Sequence, residues 1–419
     1  MARLVIEEGR KETGAQLGPL QAGQEVVFSD FTLLIGPQAT GKSLVMQLHY
    51  FAHGLQYLIA AAASAEDVFA GSNELVRSLL DRLRRGLVRD RSRAFASLVD
   101  KTIRLNYHPT GVYKPWRLSI GGDTLKVRIL GGEKSTLEKL ITAWTKDADW
   151  RARGQRQIPA IYVPAERSFY SRYVNAGAGA LSAPELPLTM LMFTRVLETA
   201  RDTYLAWDAE GPDTEAGRMI WQIAGDALQG EAYIPTRGPK LWKWRTPEEK
   251  ILDLEMASSG QMEAWPLVLI AACLPSWREE GLLDQDFYLC VEEPETHLHP
   301  AAQVALVKIL AYLVNQGFKV VVTTHSLTVL YTLNNLLVAS DLQVGYTEAA
   351  LPQPETRLKR GTISAYLFEA GEIHSLIDSE TQLICEEALA EVDESLDRQL
   401  NRLEFLRAYP STEVSDDTV

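Results

Sequence analysis

The sequence predicts an α/β fold with a mostly parallel core sheet, an antiparallel β subdomain and a helical insertion, and three patterns carry that expectation. From about residue 256, apolar strands alternate with helical runs, as parallel strands joined by helical crossovers do. The alternating runs Trp116 to Ile120 and Leu125 to Ile129 flank Gly121-Gly122, a hairpin signal that requires antiparallel pairing. Between residues 55 and 100, Val76, Leu79, Leu80, Leu83 and Leu87 recur at three-to-four spacing, the period of a helix.

In chain order, strands are expected at Leu4 to Glu7, Glu25 to Phe28 and Phe31 to Ile35, followed by a helix from about Lys42. The helical insertion and a run at Ile103 to Tyr107 precede the hairpin. The apolar strand Ile158 to Val163 leads into Pro164-Ala165-Glu166-Arg167-Ser168. Helical material occupies about 185 to 230, and a hairpin-like section turning at Gly238-Pro239 ends at Leu254. The alternating part reads helix Gln261 to Trp277, strand Asp286 to Val291, helix Ala301 to Gln316, strand Phe318 to Thr324 and helix Leu327 to Ala339. A hairpin (Ile363 to Phe368, Glu372 to Ile377) precedes a helix carrying Leu389, Val392, Leu396, Leu400 and Leu403, and Ser411 to Val419 reads as a frayed tail. The expected units are an N-terminal lobe (1–54), a helical and antiparallel β insertion (55–157), a helical and hairpin subdomain (158–255), a C-terminal lobe (256–378) and an amphipathic helix with tail (379–419).

At 419 residues the chain exceeds the roughly 250–300 at which single cores stop growing, so two or three lobes are expected. No apolar stretch approaches the roughly 20 residues of a membrane span. The start, Met-Ala-Arg-Leu-Val-Ile-Glu-Glu, lacks a signal-peptide pattern, so a cytoplasmic protein without membrane contact is expected. Cys273, Cys290 and Cys385 are widely spaced in apolar or helical surroundings and read as reduced, buried thiols. A net charge of −13 opposes generic adhesion to nucleic acid, although a local basic face can override the average.

The segment Gly36-Pro37-Gln38-Ala39-Thr40-Gly41-Lys42-Ser43 satisfies the pattern G-x-x-x-x-G-K-[ST] at every fixed position. It sits between an apolar strand and an amphipathic stretch (Leu44, Val45, Leu48, Phe51). Such a turn aims successive backbone N–H groups and the positive end of a helix dipole at phosphates. Nucleoside triphosphate binding is therefore expected, with Lys42 on the β/γ-phosphates and Ser43 on Mg2+.

Three further segments make the loop specific. The strand Phe287 to Val291 ends in Glu292-Glu293-Pro294-Glu295, where Glu292 would hold the metal and Glu293 would polarise a nucleophilic water; a solvated turn is the plain alternative. The strand Val320-Val321-Val322 ends in Thr323-Thr324-His325-Ser326, which puts His325 at the carboxyl edge of the sheet, within reach of a γ-phosphate; capping a helix is its alternative. Ser258-Ser259-Gly260-Gln261 precedes a helical run and makes a second anion-binding N-terminus or an ordinary N-cap.

In this order the motifs resemble those of ABC-type ATPase heads. Among these the chain looks like the SMC and DNA-repair heads and, more closely, like the overcoming-lysogenization-defect (OLD) ATPases and their relatives in bacterial anti-phage systems. The closer resemblance rests on Tyr162-Val163-Pro164-Ala165-Glu166-Arg167-Ser168, on the Ser-Ser-Gly-Gln signature and on Glu292-Glu293-Pro294-Glu295-Thr296-His297-Leu298-His299-Pro300. It implies an ABC-type P-loop nucleotide-binding head that takes ATP and Mg2+. It also implies a homodimer or higher homo-oligomer in which Ser259 and Gly260 of one copy meet the γ-phosphate held by Lys42 of the other. Glu295 to Pro300 would lie across that interface, and Glu166 and Arg167 would fall in a Mg2+- and γ-phosphate-sensing loop, unless they form an ion pair bracing the fold. Gln38 stands where many relatives have Asn, and the sensing loop lacks the usual Gln. Only about ninety residues follow Ser326, without the clustered acids of the nuclease domain that OLD proteins append, so a nuclease or toxin effector would be a separate protein.

Weaker features complete the reading. Arg82, Arg85, Arg89 and Arg93 would line one face of a helix, a solvated stripe or a DNA contact. His297 and His299 lack a third zinc ligand. Trp242 and Trp244 would stack bases or, sharing one face of a strand, pack inward. The expected function is an ATP-hydrolysing switch whose head dimerisation controls a separate effector, in anti-phage defence. The alternative is a DNA repair or recombination ATPase that binds DNA directly, while a transporter motor fits the Glu-Glu-Pro-Glu segment poorly.

Overall fold

The computed structural model describes residues 1–8, 16–17, 19–64, 103–109, 115–121, 124–129, 157–176, 188–207, 211–342, 351–386 and 398–404. The arginine stripe, most of the helical insertion, and Leu389, Val392 and Leu396 lie outside the described residues.

The strands of the N-terminal half are β1 (Ala2–Glu8), β2 (Gln16–Leu17), β3 (Leu20–Gln21), β4 (Glu25–Phe28), β5 (Phe31–Ile35), β6 (Ile103–His108), β7 (Trp116–Gly121), β8 (Thr124–Ile129) and β9 (Ile158–Val163). Those that follow are β10 (Glu231–Tyr233), β11 (Lys243–Arg245), β12 (Ile251–Asp253), β13 (Leu283–Glu292), β14 (Lys319–Thr324), β15 (Ile363–Glu369) and β16 (Glu372–Ser375). The longer helices are α1 (Lys42–Ser64), α2 (Ser168–Tyr173), α3 (Leu188–Ala206), α4 (Glu215–Leu228), α5 (Ser259–Glu279), α6 (Pro300–Asn315) and α7 (Leu327–Ala339).

Six strands form the core sheet in the order β16-β15-β5-β14-β13-β9. Every pair is parallel except the β15–β16 hairpin at one edge, so the expected α/β fold with a mostly parallel core sheet is the observed one. Burial on both faces explains the unbroken apolar runs: Val320, Val321 and Val322 of β14 are 0 % exposed, and each contributes roughly 1.5–3 kcal/mol. The register aligns the strand ends. Glu292 pairs with Thr323, Thr324 with Ile35, and Val163 with Val291, so the segments after β5, β9, β13 and β14 all leave the sheet at one carboxyl edge. The strand that opens the 158–255 segment is thus an edge of the same sheet as the C-terminal lobe.

Helix α5 is buried on all sides from Met262 to Trp277, which explains its lack of a polar face and makes it the hub against which α3 and α4 pack. A second sheet, β4-β1-β6-β7-β8, is antiparallel throughout. It joins the core through α1, where the buried His49 and His53 rings each bring Nδ1 to the Tyr107 hydroxyl of β6, at 3.3 and 3.2 Å. His53 Nε2 also sits 2.9 Å from the Asp286 carbonyl of β13.

One sequence expectation is revised, and one alternative is resolved in favour of inward packing. Cys273 and Cys290 are buried, but Cys385 is exposed, because it lies just past the Ile377–Ile384 bridge at the surface. Trp242 and Trp244 are each 1 % exposed, with Trp242 packed on Tyr204 and Trp265, so they fill the core and present no face to a base.

Candidate phosphate and hydrolysis site

The loop between β5 and α1 takes its shape from its glycines and from a distant hairpin. Gly36 has φ +143°, and a Cβ there would meet the Phe368 carbonyl oxygen at 2.4 Å, so no side chain fits. Pro37, Gln38 and Ala39 form the exposed tip, closed by a hydrogen bond from Thr40 Oγ1 to the Pro37 carbonyl (2.8 Å), and Gly41 leads into the helix. Lys42 is 4 % exposed, and its Nζ donates to the carbonyls of Gly36 (2.8 Å) and Pro37 (2.7 Å). Burial pulls its pKa from 10.5 down to about 8, against the opposing pull of Glu293 and Glu295.

Glu292 ends β13 beneath this loop. Its carboxylate accepts from the Ala165 N–H (3.2 Å) and Gln47 Nε2 (3.3 Å). Burial raises its pKa, against the smaller opposing pull of the Tyr162 and Ser43 hydroxyls and the Ala165 N–H. Ser43 and Gln47 are four residues apart and therefore share one face of α1. The hard oxygens of Ser43 and Glu292 suit Mg2+. Glu166 is exposed beside them.

Glu293 stands in the left-handed region (φ +40°), a conformation that costs a non-glycine residue about 1–3 kcal/mol. Its N–H donates to the Thr323 carbonyl (2.9 Å), and its carbonyl accepts from Arg167 and Thr296. So held, its Oε1 lies 3.3 Å from His325 Nε2. Glu295 fixes His325 in turn: Oε1 accepts from the His325 N–H (2.8 Å) and the Thr324 hydroxyl (2.6 Å), while Oε2 is buried without a partner among the described residues. Lys42, Ser43, Glu292, Glu293 and His325 thus meet at one sheet edge, as the sequence suggests. Gln47 joins them through Glu292, and Glu295, expected across a copy-to-copy interface, instead orients His325; the i+4 spacing of Gln47 was the available signal.

Among the described residues no hydrogen bond or ion pair joins the Ser258–Gln261 signature to the Gly36–Ser43 loop. Ser258 Oγ accepts from the Gln261 N–H, and Gln261 Oε1 accepts from the Ser258 N–H, so both side chains are engaged in a capping box while Ser259 is exposed. A Cβ on Gly260 would meet the His297 carbonyl oxygen at 2.7 Å, so the Glu295–Pro300 stretch packs directly on the signature turn. His297 Nδ1 sits 3.7 Å from Glu263, and His299 caps α6, accepting from the Ala301 N–H. Among the described residues no group of three or more His, Cys, Asp or Glu could hold a metal. Arg167 is 0 % exposed and spends its donors on protein carbonyls. The bracing alternative therefore replaces direct nucleotide contact for this residue. No described helix is long and apolar enough to cross a membrane.

Among solved structures, the chain is similar to an SMC head bound to the C-winged helix domain of ScpA, at 12 % identity over 92 % of this chain and 98 % of that one, with a TM-score of 0.44. It is also similar to the SMC head domain from Thermotoga maritima (11 % identity, 89 % and 97 % coverage, TM-score 0.39) and to an Smc head domain with an extended coiled coil from Pyrococcus furiosus (11 %, 94 % and 99 %, 0.41). These scores leave the likeness a distant one. No curated protein sequence matches. Residues 208–330 match the family model described as an AAA ATPase domain. That stretch takes in the signature, the acidic pair and His325 and, with the Gly36–Ser43 loop outside it, supports an ATP-hydrolysing enzyme.

Proposed function

We propose that the chain is an ATP-driven switch in which Glu293 assists hydrolysis and two copies close around ATP. The observation that carries the reading is the 3.3 Å approach of His325 Nε2 to Glu293 Oε1 at the sheet edge that also bears Lys42 and Ser43. Loop N–H groups and Lys42 bind the β- and γ-phosphates. Ser43 and Glu292 would hold Mg2+, which when bound neutralises charge on the phosphates. Glu293 accepts the proton of the attacking water, and His325, oriented by Glu295, contacts the γ-phosphate.

The exposed Ser259 and the close-packed Gly260 suit the signature to meet the nucleotide of a second copy, which makes association ATP-dependent. We read the output as control of a separate effector, a nuclease or toxin, in anti-phage defence. That part is supported by the motif resemblance to OLD-type ATPases, since fold alone does not fix function.

The test is the solution mass of Glu293→Gln by light scattering with and without Mg-ATP. A rise to a dimer or higher even multiple on adding Mg-ATP is expected. A mass that stays monomeric would remove the signature role of Ser259 and Gly260.

A further inference from the structure

We propose that Arg167 is a positioning residue that ties the signature helix to the backbone of the catalytic base, so that Glu263 and Arg167 together set where the Glu293 carboxylate points. The inference rests on the reading of Glu293 as the base.

The guanidinium is fully buried and reaches five carbonyl oxygens: Nε donates to Glu263 (2.8 Å), Nη1 to Glu292 (2.8 Å) and Pro164 (3.3 Å), and Nη2 to Glu293 (3.0 Å) and Pro294 (3.3 Å). Three of these belong to the consecutive residues Glu292, Glu293 and Pro294, and the middle one carries the left-handed backbone. Such strain persists only where the surroundings over-determine it. Here the planar fork of an arginine does so, gripping the carbonyls before, at and after the strained position. A lysine ammonium, a single compact donor centre, cannot span them.

The counter-ion comes from the signature helix. Glu263 is 4 % exposed, three residues beyond Gly260; its Oε2 lies 3.9 Å from Arg167 Nε and accepts from the Ser168 N–H (3.2 Å). Its Oε1 is 3.7 Å from His297 Nδ1, on the loop that packs against Gly260. A shift of the first turn of α5 therefore moves Glu263, and through Arg167 the carbonyls that aim Glu293. Hydrolysis then responds to what meets the signature, without any contact from Arg167 to nucleotide.

The experiment measures steady-state ATPase rates, Tm and the affinity for a non-hydrolysable ATP analogue in the full chain carrying Arg167→Lys, Glu263→Gln or Glu293→Gln. Misplacing a reacting group by about 1 Å costs up to roughly 100-fold, so Arg167→Lys should lose about 10- to 100-fold in kcat with analogue affinity within about 3-fold of wild type. Glu263→Gln, which keeps an acceptor for Ser168 but loses the charge, should show a smaller loss of the same kind. If Arg167→Lys does not fold, Glu263→Gln decides alone. Unchanged kcat with a lowered Tm would reduce Arg167 to a fold brace and overturn the proposal, as would a parallel loss of kcat and analogue affinity. Full activity in Glu293→Gln would instead sink the assignment of the base, which separates the two failures.

Discussion

His325 Nε2 lies 3.3 Å from Glu293 Oε1, the two side chains leaving the ends of adjacent parallel strands whose last paired residues are Thr323 and Glu292. Each is held by its backbone: Glu293 by Thr323 and Arg167, His325 by Glu295. The two side chains that the proposed function casts as proton acceptor and phosphate contact are therefore held in place before any substrate arrives. His325→Ala should lower kcat by about 100-fold or more while ATP analogue affinity stays near wild type. Rapid-quench hydrolysis alongside equilibrium binding checks this, and a variant of normal rate would remove His325 from the chemistry.

Lys42 titrates near 8 in this fold because burial disfavours its charged form. Phosphate binding needs that charge. Affinity for an ATP analogue should hold from pH 6.5 to 7.5 and then weaken by up to about tenfold per pH unit above 8, the linkage expected for one proton. Titration calorimetry from pH 7 to 9.5 reads the slope, and a flat profile would mean that the ammonium stays charged throughout.

Gly260 leaves no room for a methyl group beside the His297 carbonyl. Gly260→Ala should cost about 1–3 kcal/mol of stability as the signature turn and the loop part. It should also abolish any ATP-dependent rise in mass, while Lys42 and its loop still bind nucleotide. Urea unfolding and light scattering on one preparation separate these effects.

His49 and His53 are buried in their neutral forms, His53 with a pKa pulled by burial from 6.5 to about 4 and His49 likewise held well below its ordinary value by burial. Asp284 and Asp286 raise the His53 value and Lys319 lowers it, but burial dominates. Below about pH 6.5 the unfolded chain takes up protons that the folded chain refuses, so stability falls as pH drops toward 4. The His53 share is roughly 3 kcal/mol across that window. Unfolding free energies at pH 7 and pH 5 should differ less in His53→Gln than in the wild type, and equal differences would refute this account.

The parts of the site carried by contiguous residues were legible in the sequence: the Gly36–Ser43 loop, the Glu292–Glu293 pair after an apolar strand, and His325 after Val320-Val321-Val322. Their meeting followed from alternation alone, because parallel strands deliver all their carboxyl ends to one edge. The rest depends on packing between remote segments. Whether Arg167 senses nucleotide or braces the fold is decided by Glu263 and Glu292, 96 and 125 residues away, and the same residue type serves either role. Glu295 acquires its part through the register of β13 on β14, which no local pattern encodes. The Ser-x-x-Gln pattern correctly marked a helix start, but the same capping box that makes α5 begin there occupies Ser258 and Gln261.

The contact between Gly36 and the Phe368 carbonyl has a consequence for biosynthesis. The hairpin that shapes the phosphate loop is encoded far downstream, and the Val27 N–H donates to the Tyr366 hydroxyl across 339 residues. At about 5–20 residues per second, a nascent chain waits roughly 20–70 s between exposing its phosphate loop and acquiring the strand that completes it. For most of that interval β5 lacks both sheet neighbours, since β14 begins only at Lys319 and β15 at Ile363. The ribosome thus presents an apolar strand and an unformed nucleotide site together, and ATP can stabilise the chain only after translation has passed the β15–β16 hairpin.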